Sequence, residues 1–148
     1  KVADKLNQMG FEALESRPDD NFISLQGRVE FANQQNADAF VSIHMNSFSN
    51  PKSGGTEVYY TREDSKALAE TVAERLAPAI GTDNRGTNTA NFYVIKNTTM
   101  PAILIETLFI SNKEENEFVA DPANQEKIAQ AIADSIKAYF DSRASQSD

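Results

Sequence analysis

His44 and Glu106 are the two side chains best suited to chemistry, and each directly follows an apolar run. His44 is the only histidine in the 148 residues and follows residues 39–43. An imidazole at such a position is a hydrogen-bonded structural group, a metal ligand or a general base. Catalytic zinc normally takes three protein ligands and leaves one position open. Because cysteine is absent, the other ligands of a zinc site must be carboxylates or lie before Lys1, or no metal binds.

Glu106 lies among apolar residues, with 103–105 before it and 108–110 soon after. A carboxylate in such surroundings is costly unless it is paired, coordinated or protonated. One interpretation is a strand-end glutamate that faces solvent or forms an ion pair with an arginine such as Arg85. The other is a general acid and base, because apolar surroundings raise the pKa of a carboxyl group towards working pH.

Several other kinds of chemistry are excluded by residue types that the chain lacks. Without cysteine there are no disulfides, cysteine metal sites or cysteine nucleophiles. Ser42 and Ser47 flank His44, but the G-x-S-x-G turn of a serine hydrolase is absent. Glycine patterns for phosphate and acidic loops for calcium are absent as well.

The charge balance argues against nucleic acid and anionic membranes as partners. With 14 Lys and Arg against 22 Asp and Glu, the formal net charge is −8. Binding of nucleic acid depends on clustered cations that neutralise phosphates, and no basic cluster stands out. The apolar runs, such as 102–105, are also far too short to span a bilayer.

Hydrophobic spacing and capping residues predict the elements that position the two side chains. Leu68, Val72, Leu76 and Ile80 recur every four residues, as on the buried face of a helix. Ser24, Ser65, Asn112 and Asp121 are typical helix caps. Helices are predicted at 1–9, 24–35, 65–80, 112–118 and from 122 onward, strands at 11–16, 39–43, 56–61, 92–95 and 102–105, and irregular backbone at 82–91.

The alternation of strands and helices predicts an α/β domain with a mostly parallel sheet and helices on both faces. The apolar run 39–43 is the best candidate for a central strand, because both faces of such strands are buried, and 102–105 is a second, fully apolar strand. Ligand sites of parallel sheets form beyond the carboxyl ends of the strands. If the two strands end at His44 and Glu106, both side chains project from the same rim of the sheet.

Five segments of the chain match the motifs of one enzyme family in order and spacing. The segment F-V-S-I-H-M-N at 40–46 carries His44, and P-A-I-L-I-E-T at 101–107 carries Glu106. The third segment has S-L at 24–25, Arg28, and A-N at 32–33. The fourth is G-T-E-V-Y-Y at 55–60, and the fifth has N-R-G at 84–86 and N-F-Y-V-I at 91–95. Together they resemble the zinc-dependent N-acetylmuramoyl-L-alanine amidases (amidase type 3), which are bacterial cell-wall hydrolases, over nearly the whole chain.

By this resemblance His44 is a zinc ligand, Glu106 is the catalytic glutamate and zinc is the cofactor. The other family ligands, a histidine in a G-H-G segment and a following glutamate, have no counterpart here and would lie before Lys1. The start of the chain agrees with this expectation, because Val2, Leu6 and Met9 already stand at helical spacing without a preceding helix cap. Residues 1–148 are therefore expected to form a single amidase-like catalytic domain that is incomplete at its N-terminus.

Two positions depart from the family pattern. Leu108 stands where the family usually has a glycine, so we expect it to crowd the backbone beside Glu106. Asn84 stands where the family usually has an aspartate.

The resemblance implies hydrolysis of the amide between the lactyl group of N-acetylmuramic acid and L-alanine of the peptidoglycan stem peptide. Peptidoglycan is then the partner, and the protein is secreted or associated with the cell wall (periplasm or cell envelope). The single histidine keeps one alternative open, a non-catalytic module that binds the cell wall or acts as a scaffold and lacks a complete zinc site. An unrelated α/β hydrolase that uses only carboxylates is a more remote alternative, and the oligomeric state is not determined by the sequence.

Overall fold

Six α-helices and four β-strands form the part of the chain that the computed structural model describes, residues 1–146. In chain order they are α1 (Val2–Gln8), α2 (Leu25–Gln34), β1 (Phe40–Asn46), β2 (Thr56–Tyr60), α3 (Lys66–Ala79), β3 (Asn84–Thr89), α4 (Tyr93–Lys96), β4 (Ala102–Phe109), α5 (Lys113–Ala120) and α6 (Pro122–Gln146), with a short 3₁₀ turn at Glu63–Ser65.

The four strands form one sheet in the order β1-β4-β2-β3. The pairs β1–β4 and β2–β3 are parallel, and the middle pair β2–β4 is antiparallel. The predicted α/β fold with a mostly parallel sheet is thereby confirmed. The antiparallel pair matters for the site, because it decides which β2 side chain faces Glu106.

Helices cover both faces of the sheet and bury cores of unequal size. On one face α3 and α6 pack over Val58, Ile103 and Ile105. On the other face, residues of α2 and α4 pack over Ala102 and Leu104. Each fully buried aliphatic side chain contributes on the order of 1.5–3 kcal/mol, so the α3–α6 side supplies most of the hydrophobic stabilisation.

Ser24 and Asn112 cap helices as predicted. The predicted cap of α3 at Ser65 is wrong, because the Ser65 hydroxyl bonds Asp64 and the Ala102 N–H instead of the helix. The Ser24 hydroxyl accepts a hydrogen bond from the Gly27 N–H at 3.0 Å, and the Asn112 side chain accepts one from the Glu115 N–H at 3.1 Å. Each bond satisfies a backbone donor that has no partner within the helix. Gly81, with φ of 72°, follows α3 in the left-handed conformation that ends helices.

The first apolar strand lies at the edge of the sheet, so its predicted central position is wrong. β1 pairs only with β4 among residues 1–146, and Ile43 and Met45 are 40% and 37% exposed. The apolar composition of β1 predicted two buried faces, but no residue of β1 is fully buried. Strand order depends on which backbone edges pair, and an apolar run does not record that pairing. β4, in contrast, lies between two strands, and its side chains are almost all buried.

Three further predictions of strand and loop are wrong. The polar stretch predicted as irregular contains β3, which pairs with β2 at the outer edge of the sheet, where polar side chains face solvent. The strand predicted at 92–95 is absent, because α4 forms a single helical turn there. Residues 11–16 form no strand within the described chain, since they have no ladder partner there.

Candidate functional site

His44 and Glu106 lie side by side on neighbouring parallel strands. They are register partners of β1 and β4, so their side chains face the same side of the sheet. The strands continue past them to Asn46 and Phe109, which corrects the prediction that each strand ends at the functional residue. The ladder shifts register directly after His44, and this irregularity lies beside the site.

A small cavity of about 200 Å³ opens above this pair, and both side chains line it. Its other walls come from α2, from the β3–α4 segment and from β4. They are mostly apolar, with one cation, and comprise Leu25, Arg28, Phe92, Tyr93, Val94 and Leu104. Apolar walls around few polar groups are typical of ligand sites.

The imidazole of His44 is oriented by its neighbour on the same strand face. Its Nε2 lies 2.7 Å from the Ser42 hydroxyl, so Nδ1 is left for another partner. Burial, and then the nearby charge of Arg28, lower the pKa of His44 below its usual 6.5. The ring is therefore neutral at pH 7, which is the form that can accept a proton or bind a metal.

Glu106 is a half-buried carboxylate with one unsatisfied oxygen. Its Oε2 is inaccessible to solvent and receives no hydrogen bond from residues 1–146. Burial, and then the charge of Glu57, raise the pKa of Glu106 above its usual 4.5. A carboxylate with a raised proton affinity and a free oxygen is suited to take up and return a proton.

Glu57 is the site residue that the sequence interpretation missed. It is the register partner of Glu106 in the antiparallel pair β2–β4, so both carboxylates face the same side. Glu57 is 8% exposed and accepts hydrogen bonds from Asn88 Nδ2 at 2.7 Å and Arg85 Nε at 3.4 Å. Burial, and then a hydrogen bond with Glu57, raise the pKa of Tyr59 to about 12.

The antiparallel pairing explains why Glu57 was missed. Its polar side chain alternates with Val58 and so reads as an outward residue of an ordinary strand. No local pattern indicates that β2 runs antiparallel beside Glu106. The G-T-E-V-Y-Y motif was the one available signal, because it placed a glutamate in a family segment.

The ion pair considered between Arg85 and Glu106 is not found, since Arg85 pairs with Glu57 instead. The departure at Leu108 is accommodated, because its side chain is 2% exposed and packs into the α3–α6 core. At the other departure, the Asn84 side chain accepts a hydrogen bond from the Gly86 N–H at 2.7 Å. An aspartate carboxylate could accept the same bond.

Residues 1–146 do not by themselves complete a zinc site. Within this range no three His, Cys, Asp or Glu side chains are placed to hold a metal. His44 and Glu106 supply one imidazole and one neighbouring carboxylate, whereas catalytic zinc normally has three protein ligands.

The folded chain also resembles known proteins over nearly its whole length. A family profile described as N-acetylmuramoyl-L-alanine amidase matches residues 1–138. The chain belongs to this amidase family. One amidase relative, LytC of Bacillus subtilis (strain 168), is 41% identical over 144 residues, which are 95% of this chain but 29% of LytC.

Solved amidase structures share the fold. The catalytic domain of CwlV from Bacillus (Paenibacillus) polymyxa var. colistinus superposes with a TM-score of 0.90 at 43% identity, over 95% of this chain and 79% of that one. The amidase AmiC2 of Nostoc punctiforme gives a TM-score of 0.91 at 44% identity, over 95% and 78%. Within residues 1–146 of this amidase-family chain, no helix has the length and apolarity needed to cross a membrane.

Proposed function

We propose that this chain hydrolyses the amide between the lactyl group of N-acetylmuramic acid and L-alanine of the peptidoglycan stem peptide. The observation that carries the proposal is the pairing of His44 with Glu106 over one cavity, in a chain of the amidase family. The unsatisfied Oε2 of Glu106 supports it, because a buried carboxylate oxygen without a hydrogen-bond partner costs free energy, and such rare groups are often explained by a catalytic role.

Glu106 acts as the general base and then as the general acid. Its carboxylate takes a proton from a water molecule as the water oxygen attacks the lactyl carbonyl carbon. The C–N bond then breaks, and Glu106 returns the proton to the departing amine nitrogen. The products are a lactyl carboxylate and a stem peptide with a free L-alanine amino group. The raised pKa of Glu106 favours both transfers near neutral pH.

Zinc is the proposed cofactor, with His44 as one of its ligands. The lowered pKa of His44 supports this, because only the neutral imidazole binds a metal. When bound, zinc supplies carbonyl polarisation and an acidified water. Residues 1–146 do not provide the remaining ligands, so the proton transfers above are assigned to Glu106 alone.

The full-length protein tests the proposal directly. We expect stoichiometric zinc by elemental analysis and release of stem peptides with new L-alanine amino termini from purified sacculi, detected by mass spectrometry. Glu106→Gln keeps the side-chain shape and removes the base, so the rate falls by roughly 10²–10⁴-fold. Glu117→Gln, an exposed residue of α5, is the matched control and keeps the rate. Wild-type activity in Glu106→Gln would overturn the mechanism.

A non-catalytic module that binds the cell wall is the second candidate. The observation that favours it is that, within residues 1–146, no three His, Cys, Asp or Glu side chains are grouped to hold a metal ion. The same experiment separates the two functions. Sacculi that retain the protein without peptide release, together with no zinc after dialysis, support the second candidate.

The cell wall is the proposed place of action, and peptidoglycan is the proposed partner. Support comes from the names of relatives, such as the probable cell wall amidase LytH of Staphylococcus epidermidis (strain ATCC 12228 / FDA PCI 1200), 31% identical over 137 residues. The net charge of −8 and the lack of a basic cluster argue against nucleic acid as an alternative partner. Secretion is part of the same proposal.

A further inference from the structure

Arg28 of α2 is the cation that lines the cavity above His44 and Glu106. Its Nε donates a hydrogen bond to the Ile23 carbonyl at 3.0 Å, which anchors the guanidinium to the loop before α2. Both Nη groups lack a hydrogen-bond or ion-pair partner among residues 1–146. One nitrogen thus orients the planar group, and the other two remain available to a ligand.

The local surroundings do not explain an unpaired cation at this position. Arg28 is the fourth residue of α2 and lies near its N-terminus, where the helix dipole disfavours positive charge. The other walls of the cavity are mostly apolar, and a charge without a counter-ion loses hydration beside them. A group with negative charge in the cavity would offset both costs.

Arg28 and Glu106 act on different sides of the cavity. Burial, and then the charge of Arg28, lower the pKa of His44, whereas burial, and then Glu57, raise the pKa of Glu106. Arg28 also forms no ion pair with Glu106 in the described part of the chain. The guanidinium therefore lies on the His44 side and leaves the carboxylate of Glu106 free to act as a base.

A carbonyl group in this cavity has one favourable orientation. The cavity is smaller than the roughly 300–1,000 Å³ of sites that enclose a whole drug-sized ligand, so only the reacting end of a large substrate enters it. The carbonyl carbon must face the water that Glu106 activates. The carboxylate of Glu106 repels the carbonyl oxygen, which carries partial negative charge. The oxygen therefore points away from Glu106, towards His44 and Arg28.

We propose that Arg28 donates hydrogen bonds to the lactyl carbonyl oxygen and stabilises the negative charge that develops on it. This inference rests on the proposed function, because it takes the reacting carbonyl from that reaction. As the water oxygen adds to the carbonyl carbon and Glu106 takes the proton, an electron pair of the C=O bond moves onto the oxygen. It returns when the C–N bond breaks and Glu106 gives the proton to the amine nitrogen. Arg28 stays protonated throughout.

The same guanidinium is expected to bind the acid product. Hydrolysis leaves a carboxylate on the lactyl group, and two parallel N–H groups of an arginine match the two oxygens of a carboxylate. N-acetylmuramic acid is therefore a probe of Arg28 that needs no reaction. Its lactyl carboxamide has nearly the same shape without the charge, so it is the matched probe.

Kinetics of the full-length protein on a soluble N-acetylmuramoyl peptide test the role in catalysis. R28M keeps an apolar stem but removes the donors and the charge. We expect kcat to fall by about 10²–10³-fold, the usual loss for one oxyanion donor, with KM changed by less than about threefold. R28K keeps the charge without the planar fork, so its kcat lies between the two. An unchanged kcat, or a rise in KM alone, would overturn the proposal.

Controls separate this role from folding and from metal binding. R75M removes an exposed arginine of α3 outside the cavity and keeps the wild-type kcat. Thermal unfolding and zinc content are measured for every variant. If R28M and R28K lose kcat only in proportion to lost zinc or lost folded protein, Arg28 does not act on the carbonyl oxygen.

Binding distinguishes failure of this inference from failure of the proposed function. In the Glu106→Gln background, calorimetry measures Kd for N-acetylmuramic acid and for its lactyl carboxamide, with and without R28M. With Arg28 present we expect the acid to bind about tenfold more tightly, and R28M removes this preference. If the wild type cleaves no peptide, the proposed function fails, and the Kd comparison still decides whether Arg28 binds the lactyl group. A preference for the acid that R28M leaves unchanged overturns the inference.

Discussion

Glu57, Glu106 and His44 form one row across three strands, and each has a different environment. Glu57 is buried but bound by Asn88 and Arg85, so its charge is satisfied. Glu106 has a free oxygen and a raised pKa, and His44 is neutral because its pKa is lowered. The pKa values of Glu106 and His44 are shifted in opposite directions within one cleft, which indicates a functional site rather than a structural ion pair.

Ser42 is expected to control the orientation of the His44 ring, since its hydroxyl lies 2.7 Å from Nε2. If His44 binds zinc, Ser42→Ala in the full-length protein lowers zinc affinity by about tenfold, as loss of an orienting hydrogen bond does at other metal sites. Competition with a chelator measures this. Ser47→Ala is the control, because Ser47 is exposed and only its backbone N–H is bonded. Equal affinities of the two variants would contradict the role of Ser42.

At the scale of elements, Glu115 of α5 ties together segments that surround the site. Its carboxylate accepts hydrogen bonds from the N–H of Gly55 at 3.0 Å, from the N–H of Phe109 at 2.9 Å and from the Thr82 hydroxyl at 2.6 Å. These groups lie just before β2, at the end of β4 and just after α3. One side chain thus fixes the ends of two strands and a helix.

Glu115→Ala is expected to lower the free energy of unfolding by about 3 kcal/mol. It leaves two backbone N–H groups without their charged acceptor, and each such loss costs about 1–3 kcal/mol. Urea unfolding followed by circular dichroism measures the change. Glu114→Ala removes a neighbouring charge from the same helical turn but none of these bonds, so its effect stays below about 1 kcal/mol. If both variants lose similar amounts of unfolding free energy, helix electrostatics rather than the hydrogen bonds of Glu115 accounts for the loss.

The contact between α1 and α6 is expected to depend on pH. Glu126 of α6 bonds Lys1 and, at 3.0 Å, Lys5, and these bonds, Lys1 first, lower the pKa of Glu126 to about 2. An unfolded glutamate titrates near 4.3. Between about pH 4.3 and about pH 2, the unfolded chain therefore binds more protons than the folded chain. The stability that Glu126 contributes is present at neutral pH and is lost as the pH falls towards about 2.

Glu126→Gln tests this dependence by thermal unfolding at several pH values. We expect the variant to melt below the wild type at pH 7, and the gap to close as pH falls from about 5 to about 2. Glu117→Gln, whose side chain is exposed on α5, is the control and shows no such gap. A gap that persists unchanged at the acid end would mean that Glu126 acts through packing rather than charge.

At the scale of the whole molecule, the two faces of the sheet have different tasks. Among the described residues, fifteen buried side chains form the α3–α6 core, whereas five form the core beneath α2 and α4. The smaller core adjoins the cavity with His44 and Glu106, because Val94 and Leu104 belong to both. The larger core thus supports the fold, and the smaller one supports the shape of the site.

A matched pair of substitutions tests this division. Ile132 in the larger core and Ile95 in the smaller one are 1% and 0% exposed. Ile132→Ala is expected to cost about 4 kcal/mol of unfolding free energy and Ile95→Ala about 2–3, within the usual range for such cavities. Because Ile95 lies on α4, its variant also lowers the rate of peptide release, whereas Ile132→Ala alters stability with little change in rate below the unfolding transition. Denaturant unfolding and sacculus digestion measure both, and a reversed order would contradict the division.

The sequence by itself determined the helix starts, the buried faces of the long helices and the family. Ser24 and Asn112 cap helices through bonds to residues three positions away. Leu68, Val72 and Leu76 mark a buried helix face through their spacing alone. Interactions of this kind lie within a few residues of one another, so a local pattern records them. The motifs around His44 and Glu106 likewise identified the family before any contact was known.

Only the tertiary structure decided strand order, strand direction and the neighbours of Glu106. The backbone hydrogen bonds that pair strands are the same for every residue type, so they leave no mark on the chain. The edge position of β1, the polar strand β3 and the antiparallel β2 were therefore hidden. That antiparallel pairing brings Glu57 opposite Glu106, and a contact between residues so far apart in the chain exists only once the sheet has formed.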